Sequence, residues 1–174
     1  VKDGKLVYEK GYGHDSKGKP ITEKSLTRIA SVSKSFTAFA VLQLVDEGKI
    51  QLDEPVVKYL PEVKMDDSRW KKVTIRQLLS HTSGIPNPMI VPPASHLKSG
   101  VERLNDWKLQ SNPGEKHFYS NANYWVLARL VEEVSKIEFS QYLNQKIFSP
   151  LGMNDSLTIV NSGDVVQGLP KGYV

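Results

Sequence analysis

The sequence predicts an α+β fold: one compact helical region entered from a short piece of sheet. Three observations predict it. An Asp-Gly turn signal and a short apolar run stand at the front of the chain, apolar residues recur at helical spacing through most of the remaining length, and no repeat, low-complexity tract or linker divides the 174 residues.

Lys2-Asp3-Gly4-Lys5 carries the turn signal, and Leu6-Val7-Tyr8 before Gly11-Tyr12-Gly13 reads as a strand leaving a hairpin. A turn three residues from Val1 has almost nothing on its upstream side, so its partner strand is expected to precede Val1. From Ser31 to Glu47, Phe36, Phe39, Ala40, Leu42, Leu44 and Val45 crowd a helical pattern without a breaker, and Gly48 stands where a glycine ends a helix. This segment is expected to be a largely buried central helix. Thr74-Ile75-Arg76-Gln77 matches a capping box before Leu78-Leu79, and His81-Thr82-Ser83-Gly84-Ile85-Pro86 closes that short helix. His81 is expected to satisfy backbone groups in this turn. A loop from Asn87 to Gly100, with Pro88, Pro92 and Pro93, comes next. Ala122 to Val134 places Trp125, Ala128, Leu130, Val131 and Val134 at helical spacing, and Phe139, Tyr142, Leu143, Ile147 and Phe148 suggest a further helix ending at Pro150. The chain thus reads as first strands over 1–30, a helical region over 31–150 and a partial continuation over 151–174.

Composition narrows the function. Lys and Arg outnumber Asp and Glu by 23 to 19, but the charges are interleaved, with no basic stripe for a phosphate backbone, which argues against nucleic acid as a partner. With no Cys, disulfides, thiolate metal sites and Cys nucleophiles are excluded together. No apolar run is long enough to span a membrane and no signal peptide opens the chain, so any export signal is expected upstream of Val1. His14, His81, His96 and His117 show no metal-ligand spacing, and no cofactor is expected. Gly13 to Lys19 spells Gly-x-x-x-x-Gly-Lys, but Pro20 replaces the Mg²⁺-binding hydroxyl and no helix follows, so a hairpin turn is the better reading. No Gly-x-Ser-x-Gly elbow occurs. Trp70, Trp107 and Trp125 are assigned to core or loop packing rather than to a substrate groove.

Ser-x-x-Lys spacing lets a lysine meet a hydroxyl one helical turn away, yet four matches occur, at Ser16, Ser31, Ser68 and Ser95. Only Ser31 opens a long apolar helix, where free N–H groups and the helix dipole favour a developing oxyanion. Lys34 is expected to be enclosed by Phe36, Tyr119 and apolar neighbours, a setting in which a lysine can assist a nucleophile. At this point two readings of Ser31 stand open, a helix cap and a nucleophile. Tyr119-Ser120-Asn121 presents a Tyr and an Asn from a polar loop before a helix, whereas Tyr142-Leu143-Asn144 lies within an amphipathic pattern and reads as core. A loop tyrosine beside an ammonium can shuttle a proton, and an Asn amide can donate to a substrate carbonyl.

Ile29 to Thr37, Leu78 to Pro86, Pro113 to Tyr124 and Pro150-Leu151-Gly152-Met153 resemble, in order, the class C β-lactamase-like family of serine hydrolases. That family includes class C β-lactamases, D-alanyl-D-alanine carboxypeptidases, D-aminopeptidases and family VIII esterases, and the wider superfamily includes the penicillin-binding proteins. The resemblance implies a β-lactamase/transpeptidase-like fold in which a helical region packs against an antiparallel sheet, here truncated with most of the sheet missing. It also implies Ser31 as acyl-forming nucleophile, Lys34 as its proton partner, Tyr119 as base and later acid, and Asn121 on the substrate carbonyl. The substrate would be a small molecule or peptide: a β-lactam, an ester or a D-amino-acid peptide. An exported or periplasmic setting is favoured. The family's third motif, a Lys-Thr-Gly or His-x-Gly type triplet, lies beyond the equivalent of Tyr173, and neither Asn161-Ser162-Gly163 nor Gln167-Gly168-Leu169-Pro170 looks like it. A chain lacking that wall is expected to self-associate or to bind a complementary chain; the alternative is a non-catalytic binding module that kept the fold.

Overall fold

The computed structural model describes residues 1–15, 17–88 and 96–158. Ser16, Ser95, the middle of the Asn87–Gly100 loop and everything from 159 onward, including the segments weighed against the third motif, lie outside the described residues. Two compact units are present, Val1–Ala30 and the part that begins at Ser31.

In the first unit the Asp3-Gly4 turn forms, closed by a Lys2–Lys5 bridge, and a second turn is closed by a His14–Pro20 bridge. Among the described residues Leu6-Val7-Tyr8 forms no ladder, where the sequence predicts a strand. A strand is stabilised by a neighbour that takes its N–H and C=O groups, and no described segment pairs with Leu6-Val7-Tyr8 in this way. The turn over 13–20 behaves as a hairpin and not as a phosphate cradle: the Asp15 carboxylate accepts from the backbone N–H groups of Lys17 and Lys19, the donors a phosphate would need.

The second unit is helical. A 3₁₀ turn, Ala30–Val32, leads into α1, Ser33–Asp46, which ends at Gly48 with φ +69°. The helix α2, Ile75–Leu79, carries the full capping box: Thr74 accepts from the Gln77 N–H and Gln77 accepts from the Thr74 N–H. Next come α3, Leu97–Glu102, and α4, Asn121–Ser135. A final helical stretch runs as α5, Phe139–Leu143, continued by a π turn, Asn144–Phe148. α4 is the hub. It packs against α1, α2, α3 and α5 through Ala122, Val126, Leu127, Leu130 and Val131, all fully buried. Each large apolar side chain buried there contributes about 1.5–3 kcal/mol. Trp70 is buried in the same core, its indole N–H donating to the Val63 carbonyl, and Trp107 and Trp125 pack against its edge, as expected.

The expectation of a largely buried α1 needs correction. Thr37, Ala40, Val41 and Leu44 are buried, but Val32, Phe39 and Leu42 lie on a second stripe that is exposed, Phe39 at 49% and Leu42 at 46%. Apolar residues surround this helix, so one face packs on α4 while the other remains open among the described residues. The expected loop from Asn87 to Gly100 is also shorter, because α3 already begins at Leu97.

Candidate active site

Ser31 sits in the 3₁₀ turn rather than at the N-cap of α1. Its hydroxyl bonds no helix N–H, and α1 has no side-chain cap. Instead its Oγ lies 2.7 Å from the Tyr119 hydroxyl and accepts from Lys34 Nζ at 3.1 Å. This arrangement removes the capping reading of Ser31. Of the other Ser-x-x-Lys matches within the described residues, Ser68 is exposed in a separate 3₁₀ turn, Ser68–Lys72.

Lys34 occupies the first turn of α1, three residues from Ser31, and the junction of 3₁₀ and α backbone brings its side chain back over the hydroxyl. Its ammonium also donates to Asn121 Oδ1 at 2.7 Å and lies 4.9 Å from the ring centre of Tyr119 and 5.6 Å from that of Tyr124. Because an ammonium only donates, the Asn121 atom facing it is the carbonyl oxygen, which leaves the amide nitrogen directed elsewhere. The expected enclosure is therefore partial. Lys34 is half-buried against two tyrosine rings, while Phe36 turns away to pack edge-on against Phe148.

Tyr119 and Asn121 stand on either side of the entry to α4. The segment before that helix is fastened to the loop after α2: Gly114 N–H donates to the Thr82 carbonyl, Phe118 N–H to the His81 carbonyl, and Asn121 N–H to Asn87 Oδ1. Gly84, at φ +83°, makes the close approach possible, since a Cβ there would meet the Ser111 carbonyl oxygen at 2.5 Å. The Tyr119 hydroxyl is held below the ordinary tyrosine pKa, first by hydrogen bonding with the Lys34 ammonium and then by the Ser31 hydroxyl, against a smaller opposing effect of burial. Tyr142 and Leu143, by contrast, are buried in the core, which separates the two Tyr-x-Asn matches as the sequence pattern does.

Sequence reasoning brought Ser31, Lys34, Tyr119 and Asn121 to one place, and all four meet. It missed Tyr124, whose ring flanks Lys34 and whose hydroxyl donates to the Leu79 carbonyl, and Asn87, which caps the Asn121 N–H. It also placed the partner of His81 within its own turn, whereas the ring accepts from Ser120, 39 residues away. Only the α4 helical pattern, which extends back through Tyr124, offered a signal for any of these. Among the described residues no cluster of His, Asp or Glu is placed to hold a metal ion, and no helix is long and apolar enough to cross a membrane.

The family model Beta-lactamase matches residues 1–164. The chain belongs to the Beta-lactamase family. Its β-lactamase/transpeptidase-like fold is shared with the octameric penicillin-binding protein homologue from Pyrococcus abyssi, with a TM-score of 0.85, 32% identity, and coverage of 100% of this chain and 42% of that one. It is also similar to the D-amino acid amidase from Ochrobactrum anthropi SV3, with a TM-score of 0.76 and 29% identity over 91% of this chain and 46% of that one. Among curated proteins it is 37% identical over 163 residues to Protein flp of Staphylococcus aureus (strain MW2), covering 88% of this chain and 32% of that protein. The chain therefore spans about a third of the length of this curated relative.

Proposed function

We propose that this Beta-lactamase-family chain carries the nucleophile side of a serine hydrolase site that works through an acyl-enzyme. The reading rests on one observation: Ser31 Oγ has an acceptor-capable oxygen, Tyr119 OH, at 2.7 Å and a fixed cation, Lys34 Nζ, at 3.1 Å. A hydroxyl that accepts from an ammonium must direct its own hydrogen elsewhere, and Tyr119 is the partner in line. The cation beside Tyr119 favours its anionic form, which suits it to take that proton.

In the proposed reaction Ser31 Oγ attacks a substrate carbonyl as its proton passes to the Tyr119 oxygen. The tetrahedral oxyanion is met by the Ser31 backbone N–H, and Asn121 Nδ2 donates to the substrate's carbonyl side. Collapse expels the leaving group, which takes the proton from Tyr119, and leaves an ester on Ser31. Water, deprotonated by Tyr119, attacks that ester, and Ser31 recovers its proton as the acid departs. Esters, β-lactams and D-amino-acid peptides all present such a carbonyl, and the similarity to a D-amino acid amidase supports the amide branch.

The test is intact mass spectrometry with peptide mapping after separate exposure to a p-nitrophenyl ester, a penicillin and a D-aminoacyl p-nitroanilide. The expected result is an acyl mass on Ser31 with at least one of them. A folded sample that acquires no acyl group from any, or acquires it elsewhere, contradicts the reading and favours a binding module.

A further inference from the structure

Behind Tyr119 lies a buried polar group that the proposed chemistry does not use. His81 is 9% exposed, and it touches the Tyr119 segment at three consecutive residues. Its carbonyl accepts from the Phe118 N–H at 2.8 Å, its ring lies against the Tyr119 ring with centroids 4.5 Å apart, and its Nδ1 accepts from the Ser120 N–H at 3.2 Å. Asn123 Nδ2 reaches the same Nδ1 at 3.1 Å, and its orientation is set because Asn123 Oδ1 accepts from the Ser83 hydroxyl at 2.6 Å. Ser83, Ser120 and Asn123 are fully buried.

The backbone at His81 points the same way. Thr82 N–H bonds the Gln77 carbonyl and His81 N–H the Leu78 carbonyl, the Schellman pattern that ends α2, with His81 at the left-handed position and φ +58°. Glycine takes that conformation freely, whereas a residue with a Cβ there costs about 1 kcal/mol or more. The imidazole offsets that cost through its bonds to Ser120 and Asn123 and its contact with the Tyr119 ring.

Resting on the hydrolase reading, we propose that His81 is a positioning residue: its neutral ring holds Tyr119 against Ser31, and protonation of the ring releases that hold. The acceptor role fixes the tautomer. A backbone N–H can only donate, so Nδ1 must be bare and the ring proton must sit on Nε2. Protonation places an N–H against the N–H of Ser120 and the amide of Asn123, and both contacts turn repulsive. The titratable groups facing the ring are Lys34 from α1, His117 and Tyr119 from the segment before α4, and Tyr124 from α4. Burial, then His117, then Lys34 oppose the charged ring and keep it neutral to below the ordinary histidine value of 6.5.

Two variants separate the ring from its acceptor. His81→Asn keeps an acceptor where Nδ1 stood and tolerates the left-handed backbone, but it cannot titrate. His81→Phe keeps a ring and loses the acceptor. The first readout is the Tyr119 Cζ resonance in ¹³C-tyrosine-labelled chain, assigned with Tyr119→Phe and followed against pH. The expected result is an inflection below pH 6.5 in the parent chain and in His117→Gln, absent in His81→Asn. The second is the rate at which a fluorophosphonate labels Ser31: His81→Phe should lose about 10- to 100-fold through misplacement of Tyr119, and His81→Asn should stay near the parent rate while losing its acid limb. A flat Tyr119 resonance in the parent, or an unchanged inflection in His81→Asn, overturns the proposal. An inflection that behaves as expected in a chain whose Ser31 takes no label sustains the coupling of His81 to Tyr119 and sinks the hydrolase reading instead.

Discussion

Replacing Tyr119 with Phe removes one oxygen from the candidate site and little else. The ring keeps its contact with His81 and its face toward Lys34, and only the hydroxyl's interactions with Lys34 and Ser31 are lost. Tyr119 is 43% exposed and its hydroxyl is not a core group, so stability should change by no more than about 0.5 kcal/mol. Ser31 Oγ, however, loses its partner at 2.7 Å and keeps only Lys34, whose ammonium donates to Ser31 and Asn121 and cannot accept. With no oxygen to receive the Ser31 proton, acylation should slow by about 10²–10⁴-fold, or roughly 3–5 kcal/mol in the barrier. The assay is the second-order rate of fluorophosphonate labelling by stopped-time intact mass, beside a thermal melt of the same sample. Labelling at the parent rate in a Tyr119→Phe chain with an unchanged melt would refute the assignment of Tyr119 as base.

Three further perturbations test the frame that holds the site. Asp67 accepts from the Arg69 backbone and guanidinium and from the Leu109 N–H, and Asp67→Ala should cost about 2 kcal/mol, less than for a fully buried pair because Arg69 is partly exposed. Hydrogen bonding with Arg69 holds the Asp67 carboxyl well below the usual carboxylate range, so this contribution is complete above pH 4 or so and fades as pH falls further. Urea melts of parent and variant should therefore converge on acidification. Gly84→Ala meets both a left-handed backbone and the Ser111 carbonyl, and it should lose about 2 kcal/mol in a denaturant melt and slow Ser31 labelling, because the loop it shifts holds Tyr119. The open stripe of α1 should promote self-association: sedimentation should show concentration-dependent assembly that Phe39→Ser with Leu42→Ser reduces, and a clean monomer in the parent chain would contradict it.

Much of this arrangement was legible in the sequence because it is local. The capping box of Thr74 and Gln77 and the helical pattern after Asn121 each depend on residues within a turn or two of one another, and each formed as read. The choice of Tyr119 over Tyr142 followed from amphipathic spacing alone. What escaped depends on contacts distant in the chain. α1 is apolar all round, so the pattern could not tell which face packs on α4 and which stays open at Phe39 and Leu42. α3 is six residues long and includes Gly100, too short to show a period. His81 gave a turn signal, but its grip on Phe118, Tyr119 and Ser120 exists only once the two loops meet. Leu6-Val7-Tyr8 has strand composition, and composition does not supply a partner.

The central claim is that Ser31 is an activated nucleophile, and the most direct measurement is the site of covalent modification by a fluorophosphonate probe. Intact mass and peptide mapping of the folded chain should show one adduct, on Ser31, absent in a Ser31→Ala variant of unchanged helical content. A folded parent chain that takes no adduct, or an adduct that persists in Ser31→Ala, would contradict the account.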